Sequence, residues 1–287
     1  MSAERAQTLS GMPFAKMTGS GNDFVVFDAR QVDGAIVTRP EVIRAICNRN
    51  NGIGADGLVL LEARPEGADA RIRYYNSDGS AADLCGNATL CSTTMAVELR
   101  LGDFEALTLL TDAGLIHSRI FDGLPEISLE PVVDIRPDAG IRLENAEERI
   151  GFALVGVPHL VVVCSDVDAI DLPSRGAQLR HHPTLESAGA NVNFVAPLGD
   201  GTWRYRTFER GVEGETLACG TGSIATGILL QAWNLADSPI TLWTASRRSV
   251  VVTLRHEAGS ALAIRPSLRG EGRVVFRGEI GTIVISD

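Results

Sequence analysis

One pattern occurs twice, in the same order, and constrains the fold more than any other feature of the chain. Asn76 to Cys85 reads N-S-D-G-S-A-A-D-L-C and runs into Gly86-Asn87. Arg210 to Cys219 reads R-G-V-E-G-E-T-L-A-C and runs into Gly220-Thr221. In each copy a polar side chain stands nine residues before a Cys-Gly pair. Upstream, Gly21-Asn22-Asp23 leads into the apolar run Phe24 to Phe27, and Gly156 to His159 leads into Leu160 to Val163. Asn22 precedes Cys85 by 63 residues and Pro158 precedes Cys219 by 61. Self-similarity of this kind marks a duplicated architecture. The 287 residues therefore divide into two similar halves joined near residue 130.

Short β-branched runs bounded by Gly, Asp, Asn or Pro predict strands. They are Phe24–Phe27, Leu58–Leu61, Arg71–Tyr75, Leu160–Val163, Asn193–Val195 and Ser249–Leu254. Pro40–Cys47 predicts a short helix with Thr38 as its N-cap. Two longer helices are predicted, from about Asn87 to Leu101 and from about Gly222 to Leu235. Both are rich in Ala, Thr and Ser and carry no charge over their first two turns. A helix without a polar face is a buried one. The expected fold is α+β, with many strands around two buried helices and no βαβ series. Residues 1–11 read as a flexible leader.

Composition narrows the function. Hydrophobic residues make up 45% and charged residues 22%, enough for a folded core. A net charge of −10 disfavours nucleic-acid and anionic membrane surfaces as partners. No apolar run approaches the ~20 residues of a membrane helix. Nothing near the N-terminus reads as a signal peptide. An odd count of five cysteines argues against a disulfide framework, and the absence of CxxC spacing argues against a metal site. The expectation is a cytoplasmic protein with reduced thiols. Of 26 basic residues only Lys16 is lysine, so a pyridoxal phosphate Schiff base has one candidate, outside every motif named here.

The chemistry lies in the Cys-Gly pairs. A helix start offers unpaired N–H groups and partial positive charge, which suit a carboxylate and favour thiolate. Two such starts facing across a pseudo-dyad suit the removal of a proton from one face of a carbon acid and its return to the other. Fixed N–H groups around the carboxylate stabilise the carbanion, and no electron-sink cofactor is required.

These residues resemble the diaminopimelate epimerase family. The resemblance rests on Gly19-Ser20-Gly21-Asn22-Asp23-Phe24, Gly52 to Gly57, Asn76-Ser77-Asp78-Gly79, Cys85-Gly86-Asn87, Pro158-His159, Ala190 to Phe194, Glu209-Arg210-Gly211 and Cys219-Gly220-Thr221-Gly222. It implies two pseudo-dyad-related domains, each a β-barrel-like sheet wrapped round a central helix. These would be residues 12–129 plus 277–287 with Cys85, and 130–276 with Cys219. It implies conversion of LL- to meso-diaminopimelate without a cofactor or metal, Cys85 taking the proton and Cys219 returning one. The backbone at Gly86-Asn87 and Gly220-Thr221 would cradle the reacting carboxylate, with Asn22 on the same side. Asn76, Asn191, Glu209 and Arg210 would hold the distal amino-acid head. His159 would tune the second thiol or be a satisfied core histidine. The partner is a small amino acid, and a homodimer is expected. Cys91 and Cys164 are core candidates, and Cys47 has no assigned role.

Leu90, Val157 and Ser223 depart from the family pattern and leave substrate identity open. The alternatives are a racemase of another amino acid such as histidine, and a non-enzymatic thiol redox or amino-acid-binding protein.

Overall fold

The computed structural model describes residues 9–144, 146–256 and 263–285. The chain forms two compact units, Met1–Ile127 with Glu271–Asp287, and Ser128–Gly270. The predicted return at residue 277 falls inside the strand Arg273–Glu279 and would cut it. That whole strand pairs antiparallel with Pro13–Gly19, which moves the boundary to 271. Residues 1–8 of the expected leader lie outside the described residues. Its last three are tied down: Leu9 is fully buried, and Gly11 N–H donates to Ile280 O at 2.7 Å.

In the first unit, strands Pro13–Gly19 and Asn22–Asp28 form a hairpin. Asn22–Asp28 then pairs parallel with Gly57–Ala63, which pairs antiparallel with Ala70–Asn76. Between the parallel strands lie helices α1 (Gly34–Val37) and α2 (Pro40–Cys47). Helix α3 (Gly86–Glu98) follows the repeat motif, and Leu107–Thr111 returns beside Ala70–Asn76. The parallel strands are apolar at nearly every position because both their faces are covered. Val25, Phe27, Leu58 and Leu60 pack with Val42, Ile43 and Ile46 of α2. Phe24, Val26, Val59 and Leu61 point the other way, onto Ala88, Cys91 and Met95 of α3. Each such side chain contributes about 1.5–3 kcal/mol of burial, so both layers are held by the same two strands.

The second unit repeats this pairing. Glu147–Val155 and Val157–Cys164 form the hairpin, Val157–Cys164 pairs parallel with Asn191–Pro197, and that strand pairs antiparallel with Trp203–Glu209. The crossover carries helix α4 (Leu172–Arg180), N-capped by Asp171. Helix α5 (Gly220–Ala232) follows the second motif, and Ile240–Trp243 returns beside Trp203–Glu209. Gly222 to Leu230 are all buried in α5, as are eight of the first nine side chains after Gly86 in α3 apart from Thr94.

Three details differ from the sequence expectation. Thr38 does not cap α2; its hydroxyl closes α1 by donating to Gly34 O at 2.7 Å, and Arg39 occupies the cap position. Helices α3 and α5 end at Glu98 and Ala232, three residues earlier than predicted. Helix α4 was not anticipated, because its polar residues give no apolar stripe. No helix among the described residues is long and apolar enough to cross a membrane.

Candidate active site

Cys85 and Cys219 each occupy the N-cap of a 13-residue buried helix, with φ/ψ of −133°/115° and −125°/113°. Neither side chain caps its helix. Ser, Thr, Asn or Asp at such a position would contribute about 1 kcal/mol. The chain forgoes this twice, which leaves the starting N–H groups of both helices without a side-chain cap. Each cysteine carbonyl is held the same way. Cys85 O accepts Thr89 N–H and hydroxyl, both at 2.9 Å. Cys219 O accepts Ser223 N–H at 2.9 Å and hydroxyl at 2.8 Å. Ser223, a departure from the family pattern, is thus the counterpart of Thr89.

The other three thiols are core. Burial pushes Cys47 and Cys164 up to about 12, and Cys91 well above the ordinary thiol range. None of the five cysteines, all among the described residues, is in a disulfide.

Around the first helix start, hydrogen-bond polarity is set by one carboxylate. Asp56 Oδ2 accepts Asn22 Nδ2 at 3.0 Å, so the Asn22 oxygen must face the other way. There it accepts Asn87 Nδ2 at 2.6 Å. Asn87 Oδ1 is left buried without a hydrogen-bond partner. Asp56 is itself fixed by Arg49 at 2.6 Å, and Arg49 also bridges to Asp23 at 2.8 Å. Lys16, expected to stand apart from the motifs, is buried beside them and bonds Asp23 at 2.7 Å and Gly54 O. Burial opposes the Asp23 charge, but the Arg49 and Lys16 hydrogen bonds outweigh it and hold the carboxyl at about 2. The helix start therefore offers N–H donors beside a free acceptor, which matches the carboxylate and ammonium of an α-amino acid.

Asn76 forms a turn with Gly79 and Ser80: Gly79 N–H donates to Asn76 O at 2.9 Å, and Asn76 Nδ2 donates to Ser80 Oγ at 3.0 Å. Tyr74 donates to Asn76 Oδ1 at 3.1 Å and lies within hydrogen-bond reach of the Cys85 thiol. Burial, then the nearby thiol, raises the Tyr74 phenol.

In the second unit Asn193 is the hub. Its Oδ1 accepts Tyr205 at 2.8 Å and Thr207 at 3.0 Å, and its Nδ2 donates to Leu160 O at 2.8 Å. His159 Nδ1 sits 3.3 Å from the same Nδ2, while its Nε2 is buried without a partner. Burial and then Arg210 push His159 down to about 3, so it stays a neutral imidazole. A Cβ on Gly222 would lie 2.2 Å from Asn193 Oδ1 and 2.4 Å from the Tyr205 hydroxyl. Glycine is therefore what lets α5 start against this hub.

Glu209 stands at the second thiol as well as in the predicted head-binding pair. Its carboxylate accepts Thr216 Oγ1 and takes a hydrogen bond from Cys219. Burial raises its pKa, and those two bonds pull it back in part. Thr221 Oγ1 is 3.6 Å from Cys219 Sγ. Asn191 Oδ1 accepts Arg210 N–H at 2.8 Å, which fixes the turn carrying Arg210. The Arg210 guanidinium makes no ion pair among the described residues, so it is available to a carboxylate.

Sequence reasoning missed Asp56, Tyr74, Asn193 and Tyr205. Asp56 and Asn193 lie inside the quoted motifs, and that was their signal. The tyrosines come from neighbouring strands, Tyr74 to the Cys85 thiol and Tyr205 to the Cys219 carbonyl, and left none. Two departures from the family pattern also have definite places. Leu90 is fully buried in α3, and Val157 faces Val155 across the hairpin at Gly156.

The family model for diaminopimelate epimerase matches residues 14–129 and 151–258. A diaminopimelate epimerase of Gemmatimonas aurantiaca is 58% identical over 275 residues, covering 94% of this chain and 99% of that protein. The corresponding enzyme of Aquifex aeolicus is 34% identical, covering 96% and 99%. Among solved structures, a PhzF-family phenazine biosynthesis protein of Bacillus anthracis superposes with TM-score 0.71 at 16% identity, covering 93% of this chain and 98% of that one. A hydroxyproline epimerase of Agrobacterium vitis superposes with TM-score 0.64 at 19% identity, covering 96% and 93%. These two show a shared fold.

Proposed function

The chain belongs to the diaminopimelate epimerase family, and from that premise we propose that Cys85 and Cys219 are the acid/base pair with which it interconverts LL- and meso-diaminopimelate. The isomerase activity follows from family membership and from identity sustained over nearly the whole chain. The observation that carries the assignment of the thiols is the matched, uncapped N-cap geometry of these two cysteines.

In this mechanism one cysteine, as thiolate, takes the α-proton and the other, as thiol, delivers a proton to the opposite face. The first ends as thiol and the second as thiolate, so each turnover leaves the pair poised for the reverse direction. The N–H groups at Gly86-Asn87 and Gly220-Thr221 stabilise the charge that develops on the carboxylate. Asn87 Oδ1 accepts the α-ammonium. Glu209 accepts the hydrogen bond of the Cys219 thiol and so favours its protonated, proton-donating form, while His159 stays neutral beside Asn193. Arg210, with Asn76 and Asn191, holds the distal head, its guanidinium forking onto the second carboxylate. The reaction uses no electron sink. The same reading places the enzyme in the cytoplasm as a homodimer, which light scattering checks.

Incubation with LL-diaminopimelate in heavy water tests the proposal. The expected result is meso product carrying one solvent deuteron at the inverted carbon. Folded, reduced protein that leaves the α-proton unexchanged would refute it. Oxidation of both thiols is expected to abolish turnover.

A further inference from the structure

The turn that carries Glu209 and Arg210 is held from behind by two residues that the reaction does not use. Arg180, the last residue of α4, is 7% exposed. Its Nη1 donates to Ala188 O at 2.7 Å. Its Nε and Nη2 donate to Glu213 Oε1 at 3.2 Å and 3.1 Å. The same Glu213 oxygen accepts Gly211 N–H at 3.0 Å, and Glu213 N–H donates to Glu209 O at 2.8 Å. Glu213 thus closes the 209–213 turn on itself and ties it to α4. Through Ala188, Arg180 also fixes the loop that enters Asn191, whose side chain accepts Arg210 N–H. A Cβ on Gly189 would lie 2.1 Å from Arg180 Nη1, so this loop closes on the guanidinium because residue 189 is glycine.

Elsewhere in the chain, an arginine just past α2 does a similar task. Arg49 bridges Asp23 and Asp56, which stand at the entry to the two parallel strands. In both units, then, a cation at or just past the end of the crossover helix fastens the strand ends that bear the candidate substrate contacts. The negative end of a helix favours a cation there.

We propose that Arg180 and Glu213 form a clamp that positions Asn191 and Arg210 on the distal amino-acid head of the substrate. Both are positioning residues, and the proposal rests on the function assigned above. The pair is ill suited to a stabilising role. Glu213 is 47% exposed, and ion pairs of that exposure contribute little to folding. Glu213 also sits at φ 55°, a conformation that glycine adopts without strain. The clamp therefore keeps a strained residue for its carboxylate.

Steady-state kinetics of Glu213→Gly, Glu213→Gln and Arg180→Lys on diaminopimelate, with thermal melts, test the clamp. Glu213→Gly relieves the backbone while removing the carboxylate. It is expected to melt at or above the parent temperature and to raise KM about tenfold, below the 10²-fold that misplacement at a reacting centre brings. Its kcat is expected to stay within about twofold. Glu213→Gln keeps the acceptor for Gly211 and Arg180 and should recover part of KM. Arg180→Lys cannot fork and should behave like the glycine variant; if it does not fold, Glu213→Gly decides. An unchanged KM in folded Glu213→Gly, or a fall in kcat and melting temperature together, overturns the clamp. A parent enzyme inactive on diaminopimelate refutes the functional assignment instead, so the two failures are distinct.

Discussion

Cysteine is a poor N-cap, and this chain uses it at the start of both buried helices. Replacement of either Cys85 or Cys219 by serine supplies the missing cap. The expected outcome is a gain of about 0.5–1 kcal/mol in denaturant unfolding. The same change removes a proposed acid/base group and should cost about 10²–10⁴-fold in turnover. Stability rising while activity collapses is the signature of a position kept for chemistry. A second prediction concerns pH. His159 takes up a proton in the unfolded chain near 6.5 but in the fold only near 3. The unfolded state therefore binds more protons between those values, and stability falls as pH drops from about 6.5 towards 3. Asp23, held near 2 against an ordinary 3.8, adds a further loss as pH falls through that lower window. His159→Asn should flatten the upper part of a stability–pH curve and leave the lower part. The two helix-start cysteines were legible in the sequence through the spacing of the repeat, and Asn22, Asn191 and Arg210 became candidates through the family resemblance. The Tyr74 contact with Cys85 was not, because strand register decides which side chain reaches a thiol.

Among the elements, the duplication and its two buried helices were legible in the sequence, whereas the strand pairing was not: parallel crossovers stand where no βαβ series was expected. Each unit runs hairpin, crossover, parallel strand, antiparallel strand, buried helix and returning strand. The apolar runs marked those strands because both faces of the parallel pair are covered. Helix α4 escaped because its burial comes from neighbours that composition does not reveal. Two of its buried residues are Arg175 and Arg180, each satisfied by partners distant in sequence. The signal it shares with its counterpart α2 is a Pro near the start of each crossover helix. Gly176 shows how tightly α4 lies on its strand: a Cβ there would meet the Phe208 ring at 2.8 Å. Gly176→Ala should cost about 1–3 kcal/mol in thermal or denaturant unfolding despite alanine's better helix propensity. Because it pushes away the helix that bears Arg180, it should also raise KM. In α5, Gly222→Ala meets two buried side chains and should both destabilise the protein and abolish turnover.

At the scale of the whole molecule, the first unit is completed by sequence that follows the second. Arg273–Glu279 pairs with Pro13–Gly19, and Ile280, Ile283 and Ile285 fill the cluster beneath α2. Removal of residues 271–287 should therefore unfold the first unit while residues 128–270 remain protease-resistant. Limited proteolysis with mass spectrometry checks this. The sequence suggested a late return to the first unit but placed it six residues too far on, because the run Arg273 to Glu279 lacks a buried-strand pattern. During synthesis, domains ordinarily fold in the order in which they emerge. Here that order is inverted: the ribosome must deliver all of the second unit before the first can close. Helix α3, with Cys85 at its start, waits on the last strand. A chain interrupted before residue 273 thus emerges with its first thiol unassembled and with only the Cys219 half of the proposed site folded.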